Sequence, residues 1–160
     1  MSNEAARRDA LQRLVDIEAI KVLKAKYCWF CDDPERYHSF PELFTDDVIF
    51  IEEPFDHVAG KPALIEWNEQ YPEFCVWSRH YATTPLIEVN GDSATGRWQA
   101  LLLSEQHIND ENLMLWATGV YVEEYRRVDG EWLIANLHAT GRWMTSFDDG
   151  FLEDPGIDLG

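Results

Sequence analysis

The second half of the chain is a succession of long strand-forming segments separated by short turn sequences. The predicted strands are Trp77–Val89, Ala94–His107, Leu113–Val128 and Glu131–Met144. The turns between them are Asn90-Gly91-Asp92, Asn109-Asp110-Glu111-Asn112 and Asp129-Gly130, residue types that tight turns favour. Consecutive hairpins make neighbouring strands antiparallel. The segment therefore predicts a long antiparallel meander, and this is the strongest constraint on the fold.

The first half of the chain has a helical pattern and contains no glycine among its first 59 residues. Apolar residues recur there at steps of three and four: Leu11, Leu14, Ile17, Ile20, Leu23, Tyr27 and Phe30 or Cys31. Asp32-Asp33-Pro34 ends this helix, because proline disfavours helical geometry in the preceding residue. Further predicted elements are a helix over Glu35–Phe44, a strand over Val48–Ile51 and a helix over Lys61–Gln70 with Ala63, Leu64 and Trp67 inward.

Helices followed by a meander predict an α+β fold. A strongly curved sheet wrapped over the long N-terminal helix would leave a cone with an open end, the natural place for a pocket. The length of 160 residues fits one domain. We assign residues 1–145 to this domain and residues 146–160 to an acidic C-terminal tail, which is expected to be loose or draped over the domain.

Composition excludes several classes of partner. With 13 basic and 30 acidic residues the net charge is −17, which argues against binding nucleic acid or an anionic membrane surface. No apolar run approaches the length of a membrane span. The N-terminal segment Met1–Arg8 lacks the apolar stretch of a secretory signal, so a cytoplasmic location is expected.

The sequence contains no sign of a cofactor or a metal. The glycine-rich nucleotide-binding patterns, the G-x-S-x-G elbow and the H-E-x-x-H motif are absent. Cys28 and Cys31 form a C-x-x-C inside the helical pattern, where two small buried residues are the simpler interpretation. We therefore expect neither a cofactor nor a metal.

Candidate site residues come first from the last strand. Its alternation places Trp132, Ile134, Asn136, His138, Thr140 and Arg142 on one face. Since Trp132 and Ile134 are large and apolar, this face is expected to point inward and to carry His138 and Arg142 into the cavity. A β-bulge that reverses the phase is the alternative.

A possible acid–base pair joins the helix to the first long strand. His80 lies near the start of that strand, and Asp32 ends the long helix. A carboxylate close to a histidine fixes its tautomer, which is the arrangement of an oriented general base. Tyr27, on the same helix, is a candidate to bind a substrate oxygen. The alternatives are a structural histidine, a solvated carboxylate and a core tyrosine.

Seven tryptophans are more than a single core role requires. Some are expected to line the pocket and to suit a flat, apolar or aromatic ligand; the alternative is that several serve a subunit interface. The candidate substrate contacts are Trp67, Trp98, Trp116, Arg79 and His138. Glu105, His107, Glu52 and Glu53 are left open as residues at the pocket mouth or on the outside.

These residues resemble the SnoaL-like branch of the nuclear transport factor 2 (NTF2)-like superfamily of cone-shaped α+β barrels. The resemblance is carried by Ala19-Ile20 with Tyr27 and Asp32, Leu43–Asp47, Arg79-His80-Tyr81, Gly119-Val120-Tyr121 with Tyr125, and Asp129-Gly130 with Trp132. It extends over residues 12–144, nearly the whole chain.

Within that superfamily the sequence is most similar to cofactor-free lyases: scytalone dehydratase, bile acid 7α-dehydratase, hexachlorocyclohexane dehydrochlorinase and the lyases of lignin-derived diarylpropanes. The resemblance implies that Asp32 and His80 form a catalytic pair, and that Tyr27 and Arg142 match the helix tyrosine and last-strand arginine of the bile acid enzyme. Its second tyrosine falls near Ile51 or Glu52, so substrate anchoring differs here. The resemblance also implies a homo-oligomer, specifically a trimer.

The resulting hypothesis is a cofactor-independent lyase for a small hydrophobic aromatic or polycyclic alcohol. It would catalyse a dehydratase-type elimination, or a C–C cleavage that releases a small carbonyl compound. An isomerase or epoxide hydrolase with a free carboxylate as base, and a non-catalytic binding or accessory subunit, are the alternatives. Fold alone does not separate these functions.

Overall fold

The structure is a computed structural model that describes residues 3–54 and 56–149. In chain order the elements are α1 (Asn3–Asp32), a 3₁₀ helix (Tyr37–Leu43), β1 (Phe44–Glu53), β2 (Asp56–Ala59), α2 (Lys61–Phe74), β3 (Cys75–Asn90), β4 (Ser93–Ile108), β5 (Glu111–Val128) and β6 (Glu131–Ser146). The predicted α+β class, with a long N-terminal helix ahead of a meander, is confirmed.

The six strands form one curved sheet that does not close, in the order β2-β1-β6-β5-β4-β3. Strands β3 to β6 pair antiparallel in sequence, as the hairpin turns predict. Strand β1 pairs in parallel with β6 and antiparallel with β2, so the sheet is mixed. Strand β2 was not expected from the sequence.

All three hairpins of the meander have two-residue loops. The backbone geometry of these loops explains why asparagine, aspartate and glycine occur there. Asp129 and Gly130 have φ values of 51° and 89°, and Asn109 and Asp110 have 52° and 65°. Turns with two positive φ values match the right-handed twist of the flanking strands. Asn, Asp and Gly tolerate this geometry best.

Helix α1 packs on the sheet through only its C-terminal half. Ile20, Leu23 and Tyr27 are buried in the core, as the stripe predicts. Leu11 and Leu14, which belong to the N-terminal part of the stripe, are 63% and 64% exposed. Near the middle of the helix, the buried Asp16 carboxylate lies 2.7 Å from Arg127 Nη2 of β5.

Three shorter elements differ from their predicted form. The second helix is a 3₁₀ helix that begins at Tyr37 rather than Glu35. Helix α2 continues to Phe74 and contains Pro72 in its last turn, beyond the predicted end at Gln70. Strand β1 is ten residues long, whereas only its most apolar stretch was predicted.

The expected tail is tied to the domain where it begins. Ser146 is the last residue of β6, and Phe147 donates a backbone hydrogen bond to the Met114 carbonyl at 2.7 Å. The remainder of the predicted tail, from residue 150, lies outside the described residues. Across the described chain, no helix combines the length and apolarity that crossing a bilayer requires.

One buried ion pair links α1 to β5. Lys24 Nζ lies 2.5 Å from Glu123 Oε1, and both side chains are almost fully excluded from solvent. The ammonium group also lies 3.7 Å and 3.5 Å from the ring centroids of Tyr27 and Tyr121. The other carboxylate oxygen of Glu123 accepts a hydrogen bond from the Tyr125 hydroxyl. The pair is therefore compensated on every side.

This pair predicts a large asymmetry between two lysine substitutions on α1. Lys24→Met leaves the Glu123 carboxylate buried without its cation, so we expect the free energy of unfolding to fall by about 3–5 kcal/mol. Lys21→Met removes an exposed pair with Glu18 and is expected to cost less than about 1 kcal/mol. Urea unfolding followed by circular dichroism measures both. Equal effects of the two substitutions would contradict the compensation that we describe.

Candidate active site

A cavity of about 420 Å³ lies between the two α-helices and the sheet. Every layer of the fold contributes to its wall. The lining residues are Tyr27, Cys31, Tyr37, Phe40, Glu52, Asp56, Trp67, Asn68, Tyr71, Phe74, His80, Leu102, Gln106, Ile108 and Met144. A recess of about 80 Å³ shares Glu52, His80, Leu102 and Met144 with this cavity. The wall is predominantly aromatic and aliphatic, with a few polar groups.

Asp32 and His80 are in direct contact at this cavity. His80 Nδ1 lies 2.7 Å from Asp32 Oδ1, and the side chains are 9% and 13% exposed, respectively. The second oxygen, Oδ2, accepts the backbone N–H of His80 at 2.8 Å. Ser78 donates its hydroxyl to Oδ1 at 3.0 Å. Three donors on one strand therefore hold this carboxylate in a single orientation.

The position of Asp32 follows from where the helix ends. Asp32 is the last residue of α1, so its side chain lies beside the unpaired carbonyl groups of the final turn. The last turn contains no basic residue. Arg79 supplies a cation from β3, with Nη1 3.2 Å from the Asp32 carbonyl oxygen. Positive charge near this helix end is favourable because it opposes the helix dipole.

The contact assigns the tautomer of His80. An ionised carboxylate only accepts hydrogen bonds, so Nδ1 carries the proton that is shared with Asp32. The lone pair of the neutral ring is then on Nε2. Since His80 lines both the cavity and the recess, this nitrogen is available as a base for a bound molecule. An imidazolium formed on the ring would remain in contact with the Asp32 carboxylate.

Tyr27 lines the same cavity, one and a half turns before Asp32. Its ring packs edge-on to His80, with centroids 6.3 Å apart. Burial raises the pKa of the Tyr27 hydroxyl well above its usual value, so the group is a neutral hydrogen-bond donor. Trp67 forms part of the opposite wall and packs on Phe50 with centroids 4.7 Å apart. Tyr27 and Trp67 therefore lie where the sequence places them, against the cavity.

Glu52 is a site residue that the sequence left open. It lines the cavity, and burial together with the nearby Asp56 carboxylate raises the pKa of Glu52 to about 7. The signal that finds it is the alternation of β1, because Val48, Phe50 and Glu52 share one face and the first two are buried. The apolar run ends at Ile51, but the alternation places the next residue, Glu52, on the inward face as well.

The ionisable groups of the cavity wall are carboxyl, imidazole, phenol and thiol groups. Glu52, Asp56 and His80 are joined by tyrosines and Cys31, whose thiol pKa is raised well above normal by burial. The described lining includes no lysine or arginine. No cluster of three or more histidine, cysteine, aspartate or glutamate side chains is arranged to hold a metal within residues 3–54 and 56–149.

The expected inward direction of His138 and Arg142 is wrong. Ile134 pairs with Tyr125 and Asn136 with Glu124, so Ala135 is an extra residue that reverses the phase of β6. Leu137 is consequently buried, and His138 Nε2 lies 2.9 Å from Glu53 Oε1 instead.

A second bulge accounts for Arg142. Gly141 pairs with Gly119 and Trp143 with Thr118, which leaves Arg142 unpaired in the ladder and exposed. Met144 is the residue of this region that reaches the cavity wall. The arginine that the resemblance implied as an anchor therefore lies outside the cavity.

Three of the other expected substrate contacts lie away from the described cavity lining. Trp98 is buried in the core and donates its indole N–H to Tyr125 Oη at 2.8 Å. Trp116 stacks on Phe147 with centroids 6.0 Å apart. Arg79 is exposed and hydrogen-bonds to backbone carbonyls at the end of α1. Glu105 lies on the outside, where it accepts a hydrogen bond from Trp77 at 3.0 Å.

A long helix under a curved open sheet, with a cavity between them, defines the class of cone-shaped α+β proteins. Residues 12–138 match the SnoaL-like domain family, and the chain belongs to that family. The predicted membership of the SnoaL-like branch is thereby confirmed.

Solved structures share this fold at low identity. A Novosphingobium aromaticivorans protein provisionally assigned as a scytalone dehydratase is 21% identical, with a TM-score of 0.75 over 84% of this chain and 89% of that one. A hexachlorocyclohexane dehydrochlorinase from Novosphingobium barchaimii is 22% identical, with a TM-score of 0.75 over 91% and 97%. A Mycobacterium tuberculosis protein of unknown function is 25% identical, with a TM-score of 0.71 over 91% and 84%.

The raised pKa of Glu52 predicts a pH-dependent contribution to stability. An unfolded glutamate releases its proton near pH 4.5, whereas folded Glu52 keeps it up to about pH 7. Unfolding therefore releases a proton between these values, and stability falls as pH rises through this window. Glu52→Gln lacks this loss, so its stability relative to the native protein should improve by about 2–3 kcal/mol between pH 5 and pH 8.

Urea unfolding at the two pH values measures the difference. The matched control is Glu66→Gln, which makes the same change on the exposed face of α2, away from the cavity. A parallel pH response of Glu52→Gln and the native protein would show that Glu52 is ionised throughout.

Proposed function

We propose that the protein is a cofactor-independent lyase in which Asp32 and His80 act as an oriented general base. The observation that carries the proposal is the 2.7 Å contact between His80 Nδ1 and Asp32 Oδ1 at the wall of a largely aromatic cavity. Membership of the SnoaL-like family, with dehydratase and dehydrochlorinase structures among those of the same fold, supports the same class of reaction.

In the proposed reaction, His80 Nε2 removes a proton from a carbon next to an electron-withdrawing group. Asp32 holds the ring and stabilises the imidazolium that forms. Negative charge develops on a substrate oxygen, and Tyr27 is placed to donate a hydrogen bond to it. Arg142 has no part in this step, because it is exposed and is not among the described lining residues of the cavity.

The cavity wall supports a neutral, flat substrate. Two carboxyl groups and no cation among the described lining residues disfavour carboxylate, phosphate or sulfate ligands. The rings of Phe40, Trp67 and Tyr71 provide flat apolar surface that suits an aromatic or polycyclic alcohol. Elimination of water and a C–C cleavage that releases a small carbonyl compound begin with the same base, and both belong to this proposal.

One observation favours a second candidate, an isomerase or epoxide hydrolase. Such enzymes use a free carboxylate directly as base, and Glu52 is a carboxyl group in the cavity wall without a counter-charge. The two functions differ in their dependence on His80. The homotrimer and the cytoplasmic location that were expected from the sequence remain predictions.

The lyase predicts that His80 is indispensable. β-Hydroxypropiophenone is a suitable probe: it is a neutral β-hydroxy aryl ketone with an acidic α-carbon, and loss of water gives phenyl vinyl ketone, which is followed by absorbance. We expect His80→Gln to lower kcat/KM about 10²–10⁴-fold. Asp32→Asn should lower kcat with little change in KM, because the His80 ring loses its orientation whereas the substrate keeps its contacts with the cavity wall.

The matched control is Asp33→Asn, which makes the same change at the next residue, where the carboxylate pairs with Arg36 outside the cavity. Its kcat/KM should stay within about twofold of the native value. Retention of most activity in His80→Gln would favour the direct-carboxylate mechanism of the second candidate.

A further inference from the structure

Glu52 is a titratable group of the cavity wall that the Asp32–His80 dyad does not use. It is the ninth residue of β1, on the face that buries Val48 and Phe50, and it pairs in register with Asp56 of β2. No hydrogen bond or ion pair to its carboxyl group is formed within the described parts of the chain. Glu52 lines both the main cavity and the recess, and His80 is the only histidine lining either one among the described residues.

A carboxyl group in this position is unusual as a purely structural element. Buried carboxyl groups are normally paired, because an uncompensated charge is costly away from water. Here the cost is avoided by keeping the proton, which makes the group a hydrogen-bond donor toward the cavity. A protonated acid and a histidine base then share one small volume, which is the arrangement that an elimination with an oxygen leaving group requires.

We propose that Glu52 is the general acid of the site: it protonates the leaving hydroxyl of a neutral aromatic alcohol while His80 removes the proton from the adjacent carbon. This assignment rests on the proposed lyase function and extends it, because it fixes the leaving group as an oxygen that departs as water.

The step balances without any further reactant. The C–H electron pair forms the new C=C bond as the proton passes to His80 Nε2. The C–O bond breaks with its electron pair on oxygen, and the carboxylic proton of Glu52 converts this oxygen into water. The products are an alkene, water, an imidazolium on His80 and a carboxylate on Glu52. Return of the proton from His80 to Glu52 restores the starting state.

The other groups that face Glu52 are weaker candidates for the acid. Tyr27 and Cys31 on α1, Tyr37 on the 3₁₀ helix and Tyr121 on β5 have pKa values that burial raises above their usual range. Each of them holds its proton too firmly to release it near neutral pH. Asp56 on β2 is the neighbouring carboxyl group whose charge, with burial, raises the pKa of Glu52 to about 7. Glu52 is therefore the donor matched to neutral conditions.

A pair of probes that differ only in leaving group separates the acid from the base. β-Hydroxypropiophenone and β-chloropropiophenone both give phenyl vinyl ketone, but chloride departs without a proton. For Glu52→Gln we expect kcat for the alcohol to fall about 10²–10⁴-fold and kcat for the chloride to stay within about threefold. His80→Gln should lower turnover of both probes. Glu66→Gln, on the exposed face of α2, should lower turnover of neither probe.

The pH profile gives a readout that a structural role would not produce. In the native protein, kcat for the alcohol should decline as pH rises through about 7, while kcat for the chloride does not show this limb. Glu52→Asp, which retains the acid on a shorter side chain, should restore part of the alcohol activity that Glu52→Gln loses.

The outcomes distinguish the two proposals. Equal losses for both probes in Glu52→Gln, with His80→Gln inactive, would overturn the role of Glu52 and leave the lyase standing. Failure of the native protein to convert either probe would count against the proposed lyase, and the assignment of Glu52 would fall with it. A selective loss of alcohol turnover supports both.

Discussion

The carboxylate of Asp32 is the point on which the candidate site depends. It terminates α1 and accepts hydrogen bonds from Ser78, from the His80 backbone and from the His80 ring. These contacts fix the angle at which the long helix meets the first strand of the meander, and they fix the ring that faces the cavity. A carboxylate at the negative end of a helix is unfavourable alone. The hydrogen-bond donors of β3 offset that cost. The contacts that join α1 to β3 are therefore the same ones that orient His80 toward the cavity.

A second polar cluster holds the other side of the helix. The Lys24 ammonium lies between the rings of Tyr27 and Tyr121 and pairs with Glu123. Glu123 accepts a hydrogen bond from the Tyr125 hydroxyl, which in turn accepts one from the buried Trp98 indole. Tyr27 is therefore held by packing on a charged group at one face and directed to the cavity at the other. Positioning by packed neighbours is what an active-site donor needs, because small displacements weaken its contribution.

Local patterns made much of this fold predictable. The Asp129-Gly130 turn depends on residue types that the sequence displays directly, whereas the pairing of Asp32 with His80 was implied by the resemblance to the SnoaL-like lyases. The positions of His138 and Arg142 were wrong because two bulges in β6 shift its phase, and the residues that bulge, Ala135 and Arg142, carry no turn signal. The cavity-facing position of Glu52 could have been predicted, because the alternation from Val48 and Phe50 continues to it. Its contribution depends on burial, which only the packed structure provides.

The loss of Arg142 from the site changes the chemistry that the cavity can support. A fixed cation would stabilise a fully formed anion, whereas a wall of carboxyl and hydroxyl groups stabilises charge only through hydrogen bonds and proton transfer. An elimination in such a cavity is easiest when the proton reaches the leaving oxygen as the carbon loses its own, so that little net charge accumulates. The carboxyl groups, the neutral hydroxyl donors and the oriented His80 in the described lining are thus consistent with the proposed elimination from a neutral substrate.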